Sequence, residues 1–162
     1  MEKIKNKENS YTLGIISDTH GLLRPGVAGI FKGVDLILHA GDVGSPRIID
    51  KLGKTAPVTA VRGNMDGGEW AQKLPVTDVV EVGDVLLYIF HEPHGLDLNP
   101  AASGFHAVIS GHTHKPAIEH KNGVLYLNPG SAGPRRFDYP VSVALLKIDG
   151  TTLVPQIITL DV

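Results

Sequence analysis

The chain has 162 residues, a formal charge of −2 and no cysteine. This length suits one domain that buries roughly 70% of its unfolded surface, and the missing thiols exclude disulfides, thiolate metal sites and thiol nucleophiles. So neutral a charge does not announce nucleic acid, although a local basic patch is compatible with it, and no apolar run approaches the ~18–20 residues of a membrane-spanning helix.

In chain order, residues 1–10 are rich in Lys, Glu and Asn and lack the apolar core of a signal peptide, so a mobile tail on a cytoplasmic protein is expected there. The domain is expected over 11–162. A first buried strand runs through residues 13–16 into Asp18-Thr19-His20. A short helix near Pro25 follows, weakened by Gly26 and Gly29. Residues 34–40 read as a second buried strand ended by Gly41-Asp42. Ser45-Pro46 opens a helix through Leu52, with Ser45 as N-cap and proline at the first helical position. Residues 58–61 form a third strand, ended by Arg62-Gly63-Asn64-Met65-Asp66. The β-α-β-α-β order argues for parallel strands.

The second half is mostly β. Residues 78–82 and 85–90 flank Gly83-Asp84 as a hairpin, and residues 107–110 form a short apolar strand. Residues 117–120 and 124–128 surround Lys121-Asn122-Gly123, a strong hairpin signal. Residues 141–148 and 153–160 flank Asp149-Gly150. With 19 glycines and 11 prolines, well above the ~12% usual for the pair, many short elements and turns are expected. The predicted fold is an α/β sandwich of two packed mixed β-sheets flanked by helices.

Five polar clusters fall just past apolar runs: Asp18/His20, Asp42, Asn64/Asp66, His91, and His112/His114. Taken singly, each has a plain structural reading as a turn, a cap or a loop histidine. Together, at strand ends where α/β sheets bind ligands, they make a pocket of carboxylates, an amide oxygen and four imidazoles. Mixed oxygen and nitrogen ligation without sulfur suits Mn, Fe, Zn, Ni or Co better than Ca or Mg. Seven such groups exceed one ion's needs, which points to two ions sharing a carboxylate.

Asp18-x-His20, Gly41-Asp42, Gly63-Asn64-x-Asp66, His91 and Gly111-His112-Thr113-His114 resemble the motif series of the calcineurin-like metallophosphoesterases. More narrowly, with Asn128-Pro129-Gly130-Ser131, the chain resembles their small single-domain bacterial and archaeal phosphodiesterase branch, to which the retromer scaffold subunit is also related. The resemblance implies two divalent ions, manganese favoured. Asp18, His20, Asp42 and His114 would hold one, and Asp42, Asn64, His91 and His112 the other, with Asp42 bridging. It implies phosphodiester hydrolysis by a metal-activated hydroxide on a small phosphoester substrate.

Two departures stand out. Larger enzymes of the superfamily carry a histidine right after the asparagine, where this chain has Met65; Asp66 and His94 are candidates for the missing acid role, with a turn or surface role for each as the alternative. The branch's His-Gly-His is here His91-Glu92-Pro93-His94. Without a strong general acid, diesters and activated aryl esters are expected to be preferred over alkyl monoesters. Asn64, Arg135 and Arg136 are candidate substrate contacts, the arginines as a bidentate phosphate clamp or a solvated face. His39 is expected in the core, His106 and His120 at the surface, and Trp70 in the core or the pocket wall. The competing function is a catalytically weak scaffold on the same fold that docks a protein partner, and a nucleic-acid-processing enzyme would need a basic groove not evident here. Exposed strands leave homo-oligomers open.

Overall fold

The apolar runs are buried on both faces, and alternate residues meet different neighbours. In the computed structural model, which describes residues 1–162, the first half carries β1 (Glu2–Ile4), β2 (Ser10–Ile16), α1 (Gly26–Ile30), β3 (Leu36–His39), α2 (Pro46–Gly53), β4 (Val58–Ala60) and α3 (Glu69–Gln72). The second half carries β5 (Thr77–Val82), β6 (Val85–Phe90), a 3₁₀ turn (Pro93–Gly95), β7 (Ala107–Ile109), β8 (Ala117–Lys121), β9 (Val124–Asn128), β10 (Ser142–Asp149) and β11 (Thr152–Thr159). They form a five-stranded sheet, β11-β10-β2-β3-β4, and a six-stranded sheet, β1-β5-β6-β7-β9-β8. Both are mixed: β2, β3 and β4 are mutually parallel, as are β6, β7 and β9, and the hairpin partners run antiparallel.

Period-two alternation sorts the side chains. Leu13, Ile15, Leu36 and Leu38 of one sheet share a buried cluster with Val80, Leu87, Ile89, Ile109 and Leu127 of the other, which makes the core between the sheets. Ile16, Ile37 and Val143, pointing the opposite way, pack with Val27 and Phe31 around α1 and with Ile48 and Leu52 of α2. Tyr88, Phe90 and Val108 form a smaller cluster on the far side of the six-stranded sheet. Strands covered on both faces read as continuous apolar runs, which is why they stand out in the sequence. Ser45 caps α2 as expected, its side chain accepting from the Arg47 amide.

The segment expected as a mobile tail is corrected in part. Glu2–Ile4 adds as a parallel strand to β5, pairing Glu2 with Val80 and Ile4 with Val82. The exposed edge of β5 offers unpaired backbone groups, Ile4 packs against the core, and Lys3 meets Glu81 at 3.1 Å. The four-residue α3 is a second element the sequence did not announce. Trp70, within it, is half-buried against the helix-side cluster. Pro155 sits in β11, where the missing N–H is harmless because that strand is a sheet edge.

Both parallel sets deliver their carboxyl ends to one region, and every expected metal ligand lies in the loop after β2, β3, β4, β6 or β7.

Within β2, Gly14 faces α1, and a Cβ there would stand 2.8 Å from the Phe31 ring. Gly14→Ala is expected to destabilise the protein by about 1–3 kcal/mol through overpacking, read as a lowered urea midpoint. An unchanged midpoint would mean that Phe31 turns aside without loss.

Candidate metal centre

The loops after β2, β3 and β7 leave their strands by abrupt changes of backbone direction. Asp18 (φ 57), His20 (φ 48), Asp42 (φ 54), His112 (φ 72) and His114 (φ 63) all adopt left-handed conformations, uncommon for residues other than glycine and usually held in place by their surroundings. The turns lock into one another. His20 and Gly21 donate backbone N–H bonds to the carbonyls of Asp42 and Val43, and Gly111 donates to that of His91. No side chain fits at Gly63, where a Cβ would collide with Asp42, or at Gly111, where it would collide with Ser17 and lie 2.8 Å from Asp18 Oδ2.

These turns aim ligand atoms at a common space. His114 Nε2 lies 3.4 Å from Asp18 Oδ1 and 3.4 Å from His20 Nε2. His20 Nε2 is 3.8 Å from Asp18 Oδ1 and from Asp42 Oδ2. His91 Nε2 is 3.2 Å from Asp42 Oδ2 and 3.9 Å from Asp18 Oδ1. Thus Asp18, His20 and His114 form one ligand group and Asp18, Asp42 and His91 another. Asn64 Oδ1 and His112 Nδ1 stand 3.2 Å apart on the exposed side. All seven expected ligands are therefore brought to one sheet edge.

The unused bonding capacity points inward. Asp18 Oδ2 accepts from the Ser17 hydroxyl and the His112 amide, and Asp42 Oδ1 accepts from the Met65 amide. Asp18 Oδ1 and His91 Nε2, both buried, have no aligned hydrogen-bond partner. His91 Nδ1 faces the Ala40 carbonyl at 2.8 Å, so it carries the proton and leaves the Nε2 lone pair free. A ligand histidine is ordinarily held in this way by its other nitrogen. Orphaned donor atoms about 3–4 Å apart are spaced like groups that each lie about 2 Å from a shared ion, and the residues present fit a divalent transition metal.

The electrostatics agree. Burial pushes the Asp18 carboxyl up, but the close approach of the His114 imidazole, the Ser17 hydroxyl and the neighbouring His91 outweigh it and hold it below the ordinary value. Asp42 is likewise held low against burial by His91 and the Met65 amide. Burial pushes the His91 imidazole down, and the adjoining Asp42 and Asp18 more than reverse that. Two buried anions face imidazoles and call for positive charge between them.

The expected acid candidates part company. Asp66 accepts from the amides of Gly44 and Gly63 at 2.9 Å and Val43 at 3.2 Å, so its carboxylate ties the β4 loop to the β3 loop. His94 is exposed in the 3₁₀ turn, its ring free of hydrogen bonds, beside a cavity of about 500 Å³ that Thr113 and Asn128 also line. Arg135 and Arg136 are exposed in the loop after β9. Asn128 itself donates to the Gly111 carbonyl and the Thr113 hydroxyl, ordering the turn that carries His112 and His114.

His39 is fully buried and satisfied, as expected: Nδ1 accepts from the Gly41 amide and Nε2 donates to Thr19 Oγ1, which donates onward to the Val43 carbonyl. His120 is exposed and His106 half-buried, accepting from the Leu86 amide. Glu92 is a site residue the sequence reading passed over. Its Oε2 lies 2.7 Å from His112 Nε2, which leaves His112 Nδ1 toward Asn64, and it borders a cavity of about 320 Å³ shared with Arg62, Asn64 and His91. The only signal was its place in the altered His-Gly-His pattern.

The model of the calcineurin-like phosphoesterase superfamily domain matches residues 12–151. A probable metallophosphoesterase of Methanothermobacter thermautotrophicus is 37% identical over 158 residues, covering 90% of this chain and 91% of that protein. Among solved structures, a novel archaeal phosphodiesterase superposes with a TM-score of 0.75 at 26% identity, covering 91% of this chain and 99% of that one. Vacuolar protein sorting 29 from Cryptosporidium parvum superposes at 0.80 with 22% identity, covering 94% and 92%.

Burial drives the His39 imidazole down to about 4. The unfolded chain therefore takes up a proton near pH 6.5 that the folded chain refuses until about 4. Stability from this residue is full above 6.5 and falls as pH drops through that window, by about 3 kcal/mol in all. His39→Gln is expected to flatten this part of the acid-side slope in urea titrations of metal-free protein. An identical slope in the variant would remove His39 as its source.

Proposed function

The chain belongs to the calcineurin-like phosphoesterase superfamily, and on that premise we infer that it is a metal-dependent phosphodiesterase with a dinuclear centre. The observation that carries this reading is the pair of buried, unpartnered ligand atoms, Asp18 Oδ1 and His91 Nε2, at the meeting of the two ligand groups. In the proposal Asp18, His20, Asp42 and His114 hold one ion and Asp42, Asn64, His91 and His112 the other. Asp42 would be the shared ligand, its Oδ2 facing both His20 and His91, although the residue common to the two ligand groups is Asp18, whose Oδ1 faces His20, His91 and His114. Manganese is favoured, with nickel, iron, cobalt or zinc chemically compatible. Divalent ions at such a site polarise phosphoryl oxygens and make water nucleophilic at neutral pH.

The chain's own residues supply positioning. Ser17 and the Met65 amide fix the two carboxylates, Ala40 fixes the tautomer of His91, and Asp66 holds the loops together. Asn64, exposed beside the 320 Å³ cavity, would donate its amide N–H to a phosphoryl oxygen. The residue after it is Met65, 69% exposed and unable to transfer a proton. Of the two acid candidates, only His94 is free of competing hydrogen bonds. A site with so little acid assistance suits leaving groups that depart as anions.

A scaffold that binds metal and docks a protein partner is the second reading. It is favoured only by the likeness of fold to vacuolar protein sorting 29. No helix is long and apolar enough to cross a membrane.

Chelator-stripped protein is expected to hydrolyse bis-p-nitrophenyl phosphate only after Mn, Ni, Co, Zn or Mg is restored. Asp42→Ala is expected to lower the restored rate by about a hundredfold or more, given the several kcal/mol that bound cations supply. Two ions bound per chain without turnover would select the scaffold. Among substrates, the diester is expected to exceed an alkyl phosphomonoester in kcat/KM, and the reverse order would require an effective general acid in the site.

A further inference from the structure

Eight residues other than glycine have positive φ: Asn9, Asp18, His20, Asp42, His112, His114, Asn122 and Phe137. Five are the candidate metal ligands described above, and the two asparagines are of the type that tolerates this conformation. Phe137, at φ 54, is neither. It follows Arg136 in a turn closed by the Tyr139 amide donating to the Arg136 carbonyl, a place that glycine or asparagine normally fills when φ is positive. The residue is 78% exposed, its ring edge-to-face with Tyr139 at 5.8 Å between centroids. Neither burial nor backbone comfort accounts for a phenylalanine here. Strain of this kind concentrates at functional sites.

The root of this loop is built onto the metal centre. The Ala132 amide donates to the Ser17 carbonyl, and the Ser131 hydroxyl donates to that of Asp18. Gly133 packs so closely on Asp18 and Thr19 that a Cβ would strike their backbone, and its carbonyl accepts from both Nε and Nη2 of Arg24 at 3.2 and 3.1 Å. From that clamp to Phe137 is four residues, at most about 14 Å of chain. Arg135 and Arg136, beside Phe137, are exposed and have no carboxylate partner, apart from an Arg135 Nε–H bond to the Tyr139 carbonyl that curls the loop.

We propose that residues 133–140 are a nucleotide-binding arm of the metal centre: Phe137 stacks on a base, and Arg135 and Arg136 hold phosphate oxygens, so that the substrate is a nucleotide phosphoester. This rests on the phosphoesterase reading for the fate of the ligand, not for its binding. A flat apolar face next to two unpaired guanidinium groups matches the two chemistries of a nucleotide, and both stacking and bidentate phosphate contacts are known sources of affinity. A protein partner needs about 800 Å² on each side, whereas this arm offers one exposed ring and two cations. The net charge of −2 favours a single nucleotide over a long polyanion.

The test is calorimetric titration of metal-reconstituted protein with adenosine monophosphate and with ribose 5-phosphate, its counterpart without the base. The nucleotide is expected to bind about tenfold tighter or more. Phe137→Gly is expected to abolish that preference and Phe137→Trp to keep it, while the double variant Arg135→Ala/Arg136→Ala weakens both ligands. Because glycine is at ease at positive φ, Phe137→Gly is also expected to raise Tm. Equal binding of the two ligands by the unaltered protein would overturn the proposal. So would an undiminished preference in Phe137→Gly, which would leave the ring to a protein contact, or a lowered Tm, which would make the ring structural. The same contrast read in chelator separates the two readings: if it holds while bis-p-nitrophenyl phosphate is not hydrolysed with any metal, the phosphoesterase reading falls and the nucleotide site stands.

Discussion

The carboxylate of Asp18 is the group on which the centre depends. It is fully buried, and an ionised carboxylate out of water costs several kcal/mol unless positive charge and hydrogen bonds replace its hydration. One oxygen is satisfied by Ser17 and the His112 amide. The other faces three imidazole nitrogens at 3.4–3.9 Å and accepts no aligned bond. A protein with only protons available would gain by turning one of those rings to donate. The Ala40 carbonyl holds the other nitrogen of His91, so its Nε2 can face the two carboxylates only with a second proton or as a metal ligand. The arrangement spends stability on keeping a lone pair and an anion pointed at the same space, which suits a cation with more charge than a proton-bearing imidazole.

That demand propagates outward. To bring candidate ligands from five strands of two sheets to one place, the chain turns sharply within a few residues of the ends of β2, β3 and β7, hence the left-handed conformations of five of them and the absence of side chains where loops cross at Gly63 and Gly111. Strained turns persist only when neighbours over-determine them. Asp66 supplies part of that determination by collecting three amides from two loops, and Asn128 does the same for the turn bearing His112 and His114. The apolar sandwich below is the rigid base against which these turns are held.

Much of this was legible in the sequence because the information is local. Runs such as 34–40 are apolar throughout since both faces are covered, and residue type at a strand's end is enough to suggest a ligand. Even the satisfied burial of His39 follows from its place inside such a run. What stayed hidden depends on partners or on backbone angles. Glu2–Ile4 has no strand signal of its own, because its pairing comes from the open edge of β5. Whether Asp66 faces a reaction or three backbone amides is not written in its spacing. Glu92 was visible as a departure from a pattern, but its contact with His112 belongs to the folded chain. Arg135 and Arg136 drew notice as charges, while Phe137 between them and Tyr139 is ordinary in composition and unusual only in conformation.

The distribution of backbone strain therefore separates the parts of this molecule better than residue type does. Histidines occur in the core, at the surface and in the candidate centre, yet only His20, His112 and His114, among the candidate ligands, are left-handed; His39, His94, His106 and His120 are not. His91, a candidate ligand without positive φ, follows the last residue of β6 directly and points inward by strand alternation. In a fold whose scaffold is so regular, conformational strain is confined to places where the chain must do something other than pack. Arg24, by clamping the Gly133 carbonyl, holds the root of the loop that carries Phe137 to the same rigid base as the candidate ligands.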